Sequence, residues 1–113
     1  MTIRDATLFI DISTYYYLEF GIKIYGIYAV RLTIRNTGDS PAYIDHVIVE
    51  DTDTGVWTVF YKERPAVISK GKTGEITFGL EYLWLVGPSG VYTFRIIVDL
   101  GFDTVSYTMT ITL

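Results

Sequence analysis

From Tyr28 to Arg35 the chain alternates cleanly, with Val30, Leu32 and Ile34 on one parity and Arg31, Thr33 and Arg35 on the other. A two-residue period sends successive side chains to opposite faces, so this segment is predicted to be a half-buried β-strand. Asn36-Thr37-Gly38-Asp39-Ser40-Pro41 then stops it with five turn formers out of six. The same reading places a strand near Ala6–Ile12, another over Val56–Tyr61 and a short one at Val67-Ile68. In a further strand Ile76, Phe78, Leu80 and Tyr82 point inward. The longest alternation is the last. Tyr92, Phe94, Ile96, Val98 and Leu100 oppose Thr93, Arg95 and Asp99, and after Gly101-Phe102-Asp103 the residues Val105, Tyr107, Met109, Ile111 and Leu113 oppose a run of Thr and Ser. These two read as a hairpin with one dry and one hydroxylated face.

Two segments depart from simple alternation. In Ala42–Glu50, Ala42 and Ile44 share one parity while Val47 and Val49 share the other. One extra residue near Asp45-His46 would return both pairs to the core, so a β-bulge is predicted there. In Ser13–Tyr25, three consecutive tyrosines precede Gly21 and Gly26. The glycines predict bulges or a bend rather than one straight strand.

Composition supports the all-β reading. Val, Ile, Thr, Tyr, Phe and Trp make up 57 of the 113 residues, and Ala occurs only four times. These are the residues that fit a pleated, half-buried surface. No linker divides the chain, so residues 1–113 are expected to form a single domain. Short strands at this spacing predict an immunoglobulin-like antiparallel β-sandwich of seven to eight strands. A small Greek-key barrel or jelly roll is the alternative.

The net charge of −4 argues against nucleic acid, which needs a basic stripe. With no cysteine, thiolate chemistry and Cys-ligated zinc are excluded. The first residues carry no secretory signal, and no apolar run is long enough for a membrane helix. A membrane is therefore expected only through a segment absent from this chain. The location is extracellular or cell-envelope if such a segment has been removed, and otherwise open. One Asn and no Gln is a depletion of thermolabile amides of the kind found in thermophiles.

Candidate chemistry is sparse. Ala66-Val67-Ile68-Ser69-Lys70-Gly71-Lys72-Thr73 matches a loose phosphate-loop pattern, but a two-residue alternation follows Thr73 where the motif requires a helix. A turn is predicted instead. Glu50–Gly55 faintly resembles the start of a calcium loop but lacks the later ligands, leaving a hairpin turn or a weak calcium site. His46 is the only histidine and is expected as a strand residue at the bulge. Neither a zinc site nor a hydrolytic triad can be assembled around it. No catalytic residue, metal ligand or cofactor is expected, and the chain is read as a non-enzyme. The aromatic residues remain. Tyr15, Tyr16 and Tyr17 cannot all be core, because neighbours on a strand face opposite ways. With Tyr25 and Tyr28 they are the expected partner-binding surface. Trp57 and Trp84 sit in uncertain phase and, with a tyrosine, are the candidates for a sugar-stacking platform.

One resemblance bears on function. Ile34-Arg35 running into Asn36-Thr37-Gly38, followed by Ala42-x-Ile44-x-x-Val47-x-Val49, resembles the start of extracellular sandwich domains of bacteria and archaea. These include cell-adhesion-related modules and the globular domains of archaeal type IV pilins, archaellins and archaellum stator proteins. Ile68-Ser69-Lys70-Gly71-Lys72 and Gly90-Val91-Tyr92-Thr93-Phe94 resemble later parts of the same domains, so the likeness runs from Ala29 to Leu113. It implies a non-catalytic cell-surface or filament-associated domain whose partner is a protein, either itself or an envelope or filament protein. The alternative is a carbohydrate-binding module or an accessory β-sandwich of a larger surface protein.

Overall fold

The computed structural model describes residues 1–17, 20–100 and 103–113, with the backbone alone for 15–17. Among these residues seven strands form: β1 (Thr2–Tyr17), β2 (Phe20–Arg35), β3 (Ala42–Asp51), β4 (Trp57–Ile68), β5 (Thr73–Gly87), β6 (Val91–Asp99) and β7 (Thr104–Thr112). They lie in one antiparallel sheet of order β1-β2-β5-β4-β3-β6-β7. Its edge strands β1 and β7 approach each other, so the sheet curls into a nearly closed barrel.

The two-sheet sandwich is therefore corrected. A ladder pair between Tyr61 and Gly79 couples β4 to β5 and joins β1-β2-β5 to β4-β3-β6-β7. The order also contains two overlapping Greek keys: β3-β4-β5 run as neighbours, β6 returns beside β3, and β2 lies beside β5. The barrel alternative is the nearer description.

The predicted alternations fill the interior. Val30, Leu32 and Ile34 of β2 meet Val47 and Val49 of β3, Phe60 of β4, Phe78 of β5 and Phe94, Ile96 and Val98 of β6, all fully buried. The β3 bulge falls where the parity shift puts it. The register slips between Ile44 and His46, and Ala42, Ile44, Val47 and Val49 are all inside. At the bulge His46 Nδ1 lies 2.7 Å from Asp45 Oδ1 on the surface.

Two expected positions change. Tyr82 is 60% exposed instead of inward, and Trp84 is a core residue. The cause is a local excursion of β5: Ile27 pairs with Trp84 and Ala29 with Gly79, so Tyr28 alone stands opposite residues 80–83. The extra residues arch away from the ladder, and their parity no longer reports which way they face. Gly26 is required on the β2 side, because a Cβ there would run into the Leu83 side chain. Trp84 packs edge-on against both Phe60 and Phe94.

Both loop-like motifs of the sequence fall in turns between strands. Ser69–Lys72 links β4 directly to β5, which begins as a strand at Thr73. At Glu50–Gly55 the Asp51 carboxylate accepts the Asp53 amide, and the Gly55 amide donates to the Asp51 carbonyl, so Asp51 closes the turn through both side chain and backbone.

Beside the β5–β6 turn, Gly87 has φ of 150°, outside the range that side chains readily adopt, and a Cβ there would meet the Tyr92 hydroxyl. That hydroxyl donates to the Pro88 carbonyl at 2.6 Å. Its pKa is raised above the ordinary tyrosine value, first by partial burial and then by the negative charge of Asp51. Gly87→Ala is expected to cost about 1–3 kcal/mol in chemical denaturation. Adding Tyr92→Phe should restore only the steric part of that loss, because the backbone strain persists.

Candidate functional site: two exposed aromatic surfaces

The first surface is the distal part of the β1–β2 hairpin. β2 pairs with β5 only from Tyr25 onward, yet its ladder with β1 continues through five more pairs, Ser13↔Ile24 to Tyr17↔Phe20. Five pairs at strand rise extend a two-stranded ribbon about 17 Å past that point. The body is accordingly long, 58 × 25 × 20 Å. Along β2 the stripe Phe20, Ile22 and Ile24 alternates with Gly21, Lys23 and Tyr25, so the ribbon has an apolar face. Phe20 is 71% exposed and Ile22 is also exposed, as is Ile12 on β1. Among the described residues both ribbon edges lack a third strand.

The expected tyrosine patch is split by this geometry. The backbones of Tyr15, Tyr16 and Tyr17 form the end of β1, opposite Ile22, Gly21 and Phe20, while their side chains lie outside the described residues. Tyr25 is half-buried at the base of the ribbon, between Ile12 and Gly87. Tyr28 is exposed farther along, with its ring 6.1 Å from Phe9, over which the Arg31 guanidinium lies at 5.5 Å.

The second surface lies on the barrel wall where β4 and β5 part. β4 hydrogen-bonds β3 along its other edge, from Glu50↔Trp57 to Ala42↔Ile68. Toward β5 its ladder contains the single pair Tyr61↔Gly79. On either side of that pair the strands diverge, helped by the β5 excursion, and leave an open groove of about 820 Å³. Trp57 and Tyr61 stand on the outward face of β4, on the opposite parity from buried Thr58 and Phe60, and are 60% and 63% exposed. Tyr82 faces them from β5. Lys62, Glu63 and Glu81 also line it, and among the described residues none of their side chains makes a hydrogen bond or ion pair.

Of the two tryptophans picked out by the sequence, Trp57 is therefore in the groove and Trp84 is behind the wall. Tyr61 and Tyr82 were missed as surface residues. The charged run Lys62-Glu63-Arg64 directly after Tyr61 was the available signal that β4 leaves the core there. The chain matches no family model, no curated protein and no solved structure.

A second hollow of about 560 Å³ lies against the Asn36–Pro41 turn and is also lined by Leu100 and Asp103. Among the described residues no three His, Asp or Glu side chains converge on a common point, and no helix is long and apolar enough to cross a membrane.

Proposed function

We propose that this chain is a non-catalytic interaction domain that binds protein through the projecting β1–β2 ribbon, pairing with a second copy or with an envelope or filament protein. The observation that carries this reading is the ribbon itself. It places Phe20 and Ile22 in water, where burial would gain about 1.5–3 kcal/mol for each side chain. A two-stranded ribbon without a third strand or a packed face is marginal on its own, and its open edges offer backbone groups to an added strand. The cell-surface or filament setting is supported by the resemblance of residues 29–113 to envelope modules.

Sedimentation velocity over a wide concentration range tests the homotypic form. Reversible self-association is expected, and the double variant Phe20→Ser/Ile22→Ser should weaken it at least tenfold without lowering the melting temperature. A strict monomer at high concentration, indifferent to these changes, contradicts self-pairing and leaves only a different protein as partner.

A further inference from the structure

We propose that the groove between β4 and β5 binds a neutral oligosaccharide built of gluco-configured pyranose rings, stacked on Trp57, Tyr61 and Tyr82. This site is separate from the ribbon and does not depend on the ribbon's role. Three observations select the ligand. The aromatic rings are exposed on the barrel wall instead of serving the core. The negative face of an aromatic ring attracts the positively polarised C–H edge of an apolar surface. Sugars with equatorial hydroxyls present such a C–H face on each ring, which an extended peptide does not repeat.

The second observation is polar. Lys62, Glu63 and Glu81 line the same groove with no protein partner among the described residues. They supply donors and acceptors for the ring of hydroxyls around a stacked sugar. Two carboxylates against one ammonium leave the groove net negative, which disfavours uronic or sulfated glycans and leaves neutral ones.

The third is spacing. Trp57 and Tyr61 are four residues apart on one strand, about 13 Å at strand rise. One pyranose ring cannot touch both, so the ligand is a chain and a monosaccharide binds poorly. The volume of 820 Å³ lies within the range of small-molecule sites. Opposite Tyr61 in the ladder stands Gly79, which has no side chain to cover the exposed Tyr61 ring.

The experiment is calorimetric titration of the intact chain with cellohexaose, fully N-acetylated chitohexaose and xylohexaose, with glucose and a hexagalacturonate as controls. Intrinsic fluorescence is followed in parallel. Binding of at least one neutral hexasaccharide is expected, with glucose and the uronate at least tenfold weaker. The emission change belongs to Trp57, so it should vanish in Trp57→Phe while buried Trp84 stays silent. Trp57→Ala and Tyr82→Ala should each weaken binding about tenfold or more with the melting temperature unchanged, since both rings are exposed. Phe20→Ser/Ile22→Ser should leave binding intact, which separates this result from failure of the ribbon reading. No binding by any neutral hexasaccharide overturns the proposal. So does binding that survives both groove substitutions, or an extended peptide protecting the β4 amides where the sugars do not.

Discussion

Asn36→Asp is expected to remove about 3–5 kcal/mol of stability, a large share of what a domain of this size possesses. Asn36 is buried at the end of β2, and its side-chain amide donates to the Ser40 carbonyl at 2.8 Å and the Ile68 carbonyl at 2.9 Å. Its Oδ1 accepts the Gly38 amide, while its backbone exchanges hydrogen bonds with Lys72 and Gly71. One residue thus ties the β2–β3 turn to the β4–β5 turn. A carboxylate there would set one oxygen, in place of Nδ2, against both carbonyl oxygens, losing both donations and burying a charge. Urea unfolding near neutral pH should show the full loss. Part of it should return in acid, because the burial raises the folded-state pKa and the protonated carboxyl can donate once. Asn36→Ala, which orphans the same carbonyls without the charge, should cost less at neutral pH and show no such acid recovery.

The second large effect is expected in the barrel core. Phe94 is fully buried, stacked on Tyr92 with centroids 6.1 Å apart and packed edge-on against Trp84 at 6.2 Å. Phe94→Ala removes both contacts and leaves a cavity among aromatic neighbours that cannot collapse around it. The expected cost is about 3–5 kcal/mol in denaturant unfolding, whereas an exposed-site control such as Trp57→Ala should stay within about 0.5 kcal/mol. Equal losses at the two positions would contradict the burial of Phe94 and the exposure of Trp57.

The residues explain which parts of this architecture the sequence reveals. The β3 bulge is legible because four apolar residues straddle it, two on each parity, and only one inserted residue reconciles them. The β5 excursion is not legible, because Tyr82 continues the parity of Ile76 and Phe78 and Trp84 continues it again. A multi-residue arch between them leaves no trace in a two-residue period. The Ser13–Tyr25 segment reads as irregular for a different reason. β1 and β2 run past the barrel there, so no core imposes alternation on the tyrosines, although Phe20, Ile22 and Ile24 keep it. Sheet order is hidden for the same physical reason in every such chain: a strand's pattern shows that it has a buried face, not which neighbour it pairs with. The single Tyr61↔Gly79 pair that turns two expected layers into one curled sheet is therefore outside what periodicity can report. Among the surface aromatics, Trp57 stood out because its phase was ambiguous. Tyr61 and Tyr82 were absorbed into strands that looked regular.

The crossed order of the strands has a kinetic consequence. β1–β2, β3–β4 and β6–β7 join neighbours in sequence and can form from local collisions, but β2 must find β5 and β3 must find β6 across two intervening strands. The loop entropy for those distant ladders is lost before their contacts are gained, which places such chains among the slow folders, on the order of milliseconds to seconds. During that interval three separate hairpins carry unpaired edges and uncovered apolar faces. The greatest risk of aggregation thus belongs to the nascent chain, before β5 docks on β2 and the barrel curls shut.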